Sequence, residues 1–533
     1  MRGIARKAAA CLIALTGFVA AIGAASAADI RALVVGIDVY EGAPRLYGAV
    51  EDAHDVHGVL SQLPLTELSM LLNEEASRAH ILETLDRYVD ESREGDVVLF
   101  TYSGHGSRKH VRRDGEFVDY EFLHLSNLAP PREPTELISD TRLREIQDRA
   151  SAAGVEFVFI ADNCHAGGLS RSISKICGAT GQVRSFTPPA DVVVELPKKK
   201  EVQQSVAARV SLFAGVAADK RVPEVAIGGR DRGALSFYFA RALEGAADID
   251  EDGFVSGQEL WDYLAPNIIA TTHRRQFPVR SVGADSSFRL PIIGTALSSR
   301  PTLHKARVFL ASAEEGEAAK MGDLGRWAEF SLDRSVPADL IWHRPTGTLC
   351  SGLGDALYVD PRSKREFRQP SELSEVVQGI RLSNFLTEVA ASSNMTLLAD
   401  DALNTSERWT DGLRVRFRLE NRHYPHLFLF GISSLGTIEH MFPMATFGDD
   451  SEFLPLDRLP SFMTNGDVEV VAPFGVSKLV AVASDRPMPR LETLLADNHK
   501  RPLKAATVED IADVISQVDA LQVAVFTVVT SQR

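Results

Sequence analysis

Cysteine is scarce in this 533-residue chain, with 4 in all, at positions 11, 164, 177 and 350. So few exclude a disulfide framework, and a chain this long must rest on hydrophobic cores. Long apolar runs are missing too, apart from one at the N-terminus. No other stretch reaches the roughly 18 apolar residues of a membrane-spanning helix. Positive charge is outweighed: 57 Lys and Arg stand against 72 Asp and Glu, a formal charge of −15. That balance argues against nonspecific nucleic-acid binding, which relies on basic patches, and is compatible with a cationic substrate.

The N-terminal run has the three-part plan of a bacterial secretory signal. Arg2, Arg6 and Lys7 precede an apolar core from about Ala8 to Ile22, and the small residues Ala25-Ser26-Ala27 follow. Cleavage after Ala27 removes residues 1–27 with three cations and no acid, so −15 becomes −18. The mature chain is then expected to be exported, periplasmic or secreted, without a transmembrane anchor. It keeps three cysteines, so at least one is unpaired or paired between chains. A Cys177–Cys350 pair would leave Cys164 free; two ordinary thiols are the alternative.

Apolar runs and turn residues predict strands at 31–38, 67–72, 96–102, 155–162 and 209–215. Helical spacing predicts helices at 48–62, 77–92, 139–153, 233–246 and 257–271. This alternation is the signature of an α/β fold, a mostly parallel sheet flanked by helices. Arg113 to Glu116 reads as a hairpin tip, and residues 165–206 as a long loop bracketed by Pro188, Pro189 and Pro197. Ser298 to Pro301 reads as a boundary. Residues 298–410 read as a linker or intermediate region with one helix near 371–392. Residues 411–533 read as a β-rich domain of short alternating strands, closed by a helix near 507–518 and a strand near 522–529.

Two of the buried strands end in a reactive side chain. Val97 to Tyr102 opens into Ser103-Gly104-His105-Gly106, and Val155 to Ile160 into Ala161-Asp162-Asn163-Cys164-His165-Ala166-Gly167-Gly168. Chemistry collects at the C-terminal edge of open α/β sheets. Cysteine attacks as thiolate, and a nearby histidine serves as base and later as acid toward the leaving amine. His105 precedes Cys164 by 59 residues. The backbone N–H groups of Gly106 and Cys164 are the candidate oxyanion hole.

Tyr102-Ser103-Gly104-His105-Gly106 and Asp162-Asn163-Cys164-His165-Ala166-Gly167 resemble the two catalytic motifs of the caspase/metacaspase superfamily of cysteine peptidases. Ala32 to Tyr40 resembles the first strand of that family, and Leu46 to Ala53 the loop and helix after it. The resemblance covers about residues 30–295, within an expected domain of residues 28–297, and implies a caspase-hemoglobinase-like sheet. It further implies a cysteine endopeptidase with His105 as base and Cys164 as nucleophile. Caspases proper line their primary pocket with arginine, whereas metacaspases line it with acids and accept Arg or Lys. Asp52, Ser103 and Asp162 match the acidic pattern, and Asp219 is a fourth candidate. Peptide substrates with a basic residue before the cut are the implied partners. Such an enzyme would be able to cut its own 165–206 loop, at Arg184 or at Lys198, Lys199 or Lys200. No orienter of His105 is evident, although clan members often use a backbone carbonyl.

Asp248 to Glu259 fits an EF-hand loop. Asp248, Asp250, Asp252 and Glu259 supply carboxylates, Gly253 the turn and Phe254 a backbone carbonyl. Ca²⁺ is therefore a candidate ligand, by analogy a regulatory one, though the peptidase chemistry requires no cofactor. Residues 410–500 resemble a domain of unknown function that follows bacterial caspase-like peptidases. Two other readings remain open: a catalytically silent module that binds peptides or calcium, and an envelope adaptor working through its C-terminal part.

Overall fold

The computed structural model describes residues 28–531 except 114–115, 127–136, 164–179, 182, 185–206, 217–221, 295–300, 312–315, 317–320, 359–364, 400–407, 416, 443–467 and 471–474. The expected signal segment, Cys164, Cys177, Asp219 and Lys198 to Lys200 lie outside the described residues.

The first half is built on strands β1 (Ile30–Gly36), β2 (Glu67–Leu72), β3 (Val97–Ser103), β4 (Gly106–Arg113), β5 (Glu116–His124), β6 (Leu137–Ser139), β7 (Glu156–Asp162) and β8 (Val210–Ala214). Helices α1 (Ala49–Leu60), α2 (Arg78–Glu91) and α3 (Asp140–Ala152) run between them. There follow the hairpin β9 (Val225–Ile227) and β10 (Arg230–Arg232), helix α4 (Ala234–Arg241), β11 (Phe254–Ser256), α5 (Gly257–Thr271), β12 (Val279–Val282) and β13 (Arg289–Pro291).

The central sheet has the order β12-β8-β7-β3-β1-β2. All its pairs are parallel except that of β12 with β8. Its strands read as continuous apolar runs because both faces are covered. Ala32, Val34, Leu99, Val158 and Ile160 face the helices α1, α4 and α5. Their neighbours Leu33, Val35, Phe100, Phe157 and Phe159 face α2 and α3. The rings of Phe100 and Phe159 stack with centroids 4.8 Å apart. Ser77 and Ser139 cap α2 and α3 through their side-chain oxygens, and Ser256 and Glu259 form a reciprocal cap on α5.

Some elements differ from the sequence expectation. The expected helix at 233–246 is regular only to Arg241; its last turn, 242–246, is a π-turn containing Gly245 at φ 119°. β4 begins directly after His105 and pairs along its length with β5.

The second half contains β14 (Ala306–Leu310), β15 (Ala328–Ser331), β16 (Leu340–His343) and β17 (Thr348–Ser351), a sheet in the order β15-β14-β16-β17. Helix α6 (Ser374–Ala390) follows. The stretch expected as an intermediate region therefore carries its own sheet and a 17-residue helix. Beyond it, Trp409–Thr410, Leu521–Ser531, Val476–Ser484, His426–Ile432 and Ile438–Phe442 form a five-stranded sheet in that spatial order. One face is covered by α6 and the helices Pro489–Asp497 and Ala505–Ser516. The other buries Trp409, Phe417 and Phe526.

The two halves meet at α5 and the β9–β10 hairpin. Arg274 lies over the rings of Trp409 and Phe526, and the Tyr263 hydroxyl donates to the Ala391 carbonyl. Arg275 and Arg408 both bind the Asp355 carboxylate, and Arg307 binds Asp231. Among the described residues no helix is long and apolar enough to cross a membrane.

Candidate active site

Three strand ends lie side by side: Gly36 is in register with Ser103, and Ser103 with Asp162. Gly36 lets α1 approach this edge, since a Cβ there would lie 2.5 Å from the Ala49 carbonyl and 2.6 Å from the Ala53 methyl. Asp52, in the first turn of α1, is thereby brought over the strand ends, where the Ser103 hydroxyl donates to its carboxylate at 2.6 Å. Asp52 also accepts from the Gly233 N–H at 2.9 Å, and Asp162 from the Ser236 N–H in the first turn of α4 at 2.9 Å.

These residues surround a cation. The Arg184 side chain is fully buried, with Nη2 2.6 Å from the Asp52 carboxylate and Nη1 3.4 Å from that of Asp162. Nη1 also donates to the Ser103 hydroxyl at 2.5 Å and to the Asp162 carbonyl at 3.1 Å. Glu224 lies 3.6 Å from Nη2, and its carboxylate accepts from the Gly48 N–H at 2.8 Å. Gly233 forms the floor: a Cβ there would sit 2.2 Å from the Asp162 carboxylate and 2.3 Å from Nη1. Any side chain at 233 would take the space the guanidinium fills.

A buried guanidinium is costly unless paired. Burial lowers the Arg184 pKa, but the charges of Asp52, Asp162 and Glu224 more than offset it and hold the pKa above its ordinary value. The carboxylates feel the same burial. Asp52 is pushed up to about 6, by burial and by the neighbouring charge of Asp162, against the lowering effect of Arg184. Burial pushes Glu224 up to about 8.

The backbone of Arg184 is held as firmly as its side chain. Its N–H donates to the Val222 carbonyl at 3.0 Å, and Val183 bridges Pro223 in the antiparallel sense. Its carbonyl accepts from the Gly106 N–H at 3.0 Å. That is one of the two amides expected as oxyanion donors.

His105 is next to this carbonyl in the chain fold and is buried. Its Nε2 lies 2.7 Å from the Pro44 carbonyl. A carbonyl only accepts, so Nε2 carries the hydrogen and Nδ1 the lone pair. The Pro44 carbonyl is thus the orienter that the sequence did not reveal. Tyr40 packs its ring 4.6 Å from the imidazole and accepts the His105 N–H at 2.8 Å. The Tyr102 hydroxyl donates to the His105 carbonyl at 2.8 Å. Burial above all, helped by the charge of Arg184, pulls the His105 pKa down to about 4. The ring is therefore a neutral base above that pH.

Asp52, Ser103, Asp162, His105 and Gly106 are thus gathered at one sheet edge, whereas Cys164 and Asp219 fall outside the described residues. Sequence reasoning missed Glu224, Gly233 and Pro44. Two of these act through backbone or through the lack of a side chain, which leaves no sequence signal. Tyr40 and Tyr102 were inside the quoted motifs.

The loop 248–259 stands apart from this site. Asp248, Asp250 and Asp252 offer oxygens all within 4.8 Å of one another. Glu259 reaches back to accept the N–H groups of Ile249 at 3.0 Å and Ser256 at 2.9 Å, and Arg289 pairs with Asp252. The donor set is hard oxygen on one tight loop, which fits Ca²⁺ in kind. Phe254 lies in β11 with its side chain exposed.

The caspase-domain profile (peptidase C14) matches residues 30–251. Metacaspase-5 of Trypanosoma cruzi is 30% identical over 151 residues, which cover 26% of this chain and 33% of that protein. Inactive metacaspase-4 of Trypanosoma brucei brucei is 28% identical over 152 residues, 26% of this chain and 41% of that protein. The chain therefore spans well under two thirds of these relatives. Among solved structures, caspase-1 from Spodoptera frugiperda aligns at 10% identity with a TM-score of 0.33, covering 50% of this chain and 92% of that one. Residues 30–251 of this chain match the caspase-domain profile and are similar in sequence to metacaspases.

Proposed function

We propose that this chain is a cysteine endopeptidase that cuts after Arg or Lys, and that its first substrate is its own Arg184–Ser185 bond. The observation that carries the reading is the seating of Arg184. Its guanidinium fills the pocket of Asp52, Ser103 and Asp162 while its carbonyl rests on the Gly106 N–H. A residue bound by side chain and carbonyl at once is posed as the residue before a scissile bond.

In this reading His105 Nδ1 takes the proton of the Cys164 thiol, and the sulfur adds to the Arg184 carbonyl carbon. The Gly106 and Cys164 N–H groups hold the oxyanion that forms. Collapse breaks the bond to the Ser185 nitrogen, which leaves as an amine with the proton from His105. Water then hydrolyses the thioester and frees the Arg184 carboxylate. Lys198, Lys199 and Lys200 are further candidates for self-cleavage, and Asp219 for the pocket.

The direct test compares the chain with Cys164→Ala on fluorogenic peptides ending in Arg, Lys or Asp. Cleavage of the Arg and Lys reporters alone, lost in the variant, is the expected result. A folded chain that cleaves none of them supports the silent peptide-binding reading; one similar relative, metacaspase-4 of Trypanosoma brucei brucei, is itself named as inactive.

Self-cleavage has an acid limit. The pocket needs Asp52 ionised, and with its pKa raised to about 6 Asp52 is protonated on acidification before His105, which stays neutral down to about 4. The rate is expected to fall about tenfold per unit below pH 6. A rate unchanged from pH 7 to pH 5 contradicts this.

Cys350 is disulfide-bonded. The other three cysteines all precede Arg184 in the chain. The two products of cleavage after Arg184 are therefore expected to migrate together on a non-reducing gel and apart after reduction. Separation without reductant counts against it. An active Cys164 requires that Cys177 be the partner.

The reading includes Ca²⁺ on Asp248, Asp250, Asp252 and Glu259 with the Phe254 carbonyl, as a regulatory ligand and not a participant in the chemistry. Titration calorimetry should show binding near 10⁻⁴–10⁻³ M, roughly the range of extracellular modules. A flat trace at millimolar Ca²⁺ removes it. It also includes export with loss of residues 1–27, for which a mature N-terminus at Ala28 is the expected finding.

A further inference from the structure

We infer that the module beginning near residue 300 builds the far end of the substrate cleft, so that the peptidase reads its substrate to the fifth residue before the cut. The inference rests on the reading of Arg184 as the residue before the scissile bond. On that footing Val183 is the second residue from the cut, Gly181 the fourth and Thr180 the fifth.

Among the described residues the peptidase half hydrogen-bonds the near part of this segment. Arg184 and Val183 pair with Val222 and Pro223, just ahead of the β9–β10 hairpin. The fourth and fifth residues are bound by the other half. The Gly181 N–H donates to the Arg334 carbonyl at 3.0 Å. The Thr180 N–H donates to the Gly352 carbonyl at 2.8 Å. The Thr180 hydroxyl donates to that same carbonyl at 3.1 Å and accepts from the Ala338 N–H at 3.1 Å. Thr180 is only 4% exposed, so these partners replace water and are not incidental surface contacts.

This far wall is rigidly joined to the catalytic half. The Ser335 and Tyr47 hydroxyls lie 2.9 Å apart, three residues from the Pro44 carbonyl that orients His105. Asp355, which closes the turn after β17 through Ser351, is held by Arg275 of the peptidase half. Gly352 packs against Ala338 so closely that a Cβ there would lie 1.5 Å from the Ala338 carbonyl. The geometry at 334–352 is therefore fixed relative to the pocket, as a specificity subsite requires.

The wall selects by shape and by hydrogen bonding. Gly181 has φ +76°, and a Cβ on it would meet Pro337 at 3.0 Å and the Glu224 carbonyl at 3.3 Å. A glycine is thus favoured at the fourth residue, both for its backbone and for the space. The paired acceptor and donor of Gly352 and Ala338 favour a hydroxyl side chain at the fifth. The substrate class is an extended peptide of the form Thr/Ser-Gly-Xaa-Val-Arg.

The test uses the full self-processed chain and four reporters carrying a coumarin leaving group after arginine: Thr-Gly-Gln-Val-Arg, Thr-Ala-Gln-Val-Arg, Val-Gly-Gln-Val-Arg and Val-Arg. The first should exceed Val-Arg in kcat/KM by about tenfold or more, and alanine at the fourth or valine at the fifth position should remove most of that gain. In Ala338→Pro, which lacks the donating N–H, the ratio of kcat/KM for threonine over valine at the fifth position should fall to about one. Equal kcat/KM for all four reporters with the unaltered chain overturns the inference and leaves the peptidase reading standing. Cleavage of none removes both. The series on the unaltered chain decides the matter whether or not Ala338→Pro folds.

Discussion

Asp162→Asn is expected to lower kcat/KM for an arginine reporter about 10²–10³-fold while leaving the chain folded. The substitution keeps the shape of a side chain that is wholly buried and accepts from the Ser236 N–H, but removes its charge. An arginine entering the pocket surrenders its hydration and is compensated only by the carboxylates that meet it. Removing one partner of a buried ion pair costs roughly 3–5 kcal/mol, and each 1.4 kcal/mol is about tenfold. Asp52 remains, and its pKa should fall, because the charge of Asp162 is one of the causes that raise it. The acid limb of the surviving activity should therefore move below pH 6. A variant as active as the original, with its acid limb unmoved, would mean that Asp162 does not read the substrate. Folding is checked by an unchanged circular-dichroism spectrum.

Arg184→Ala is expected to leave the bond to Ser185 uncut, with a loss of at least about 10²-fold in self-cleavage there. The alanine removes the contacts to Asp52, Ser103 and Asp162 at once. It also leaves buried carboxylates without their cation, so residues 180–184 should leave the site and admit water or a peptide supplied from outside. Arg184→Lys separates charge from geometry. A lysine keeps the charge but makes one point contact where the planar fork spans two carboxylates and a hydroxyl. Its bond should be cut roughly tenfold more slowly than the original. Measured on gels over time, equal rates for Ala and Arg would deny the pose any part in catalysis.

The parts of this account visible in the sequence are those that follow local rules. β1, β3 and β7 were legible because a strand buried on both faces must be apolar throughout. Asp52, Ser103 and Asp162 were legible as candidates because the motifs around them resemble the metacaspase pattern, whose pocket is acidic. Arg184 was visible only as one basic residue among several in a long loop. Its place in the pocket depends on contacts with Ser103 and Asp52, 81 and 132 residues away, and no pattern along the chain records them. Pro44 orients His105 through a carbonyl that every residue possesses. The sheet of β14 to β17 escaped notice because its strands are four or five residues long and give too little periodicity. α6 was visible because 17 residues carry several turns of helical spacing.

The most direct measurement is mass spectrometry of the termini that the purified chain generates on incubation. The account predicts one fragment ending at Arg184 and one beginning at Ser185, both absent from Cys164→Ala. An active chain that stays intact, or is cut only after Lys198, Lys199 or Lys200, would contradict the claim that Arg184 is bound as a substrate.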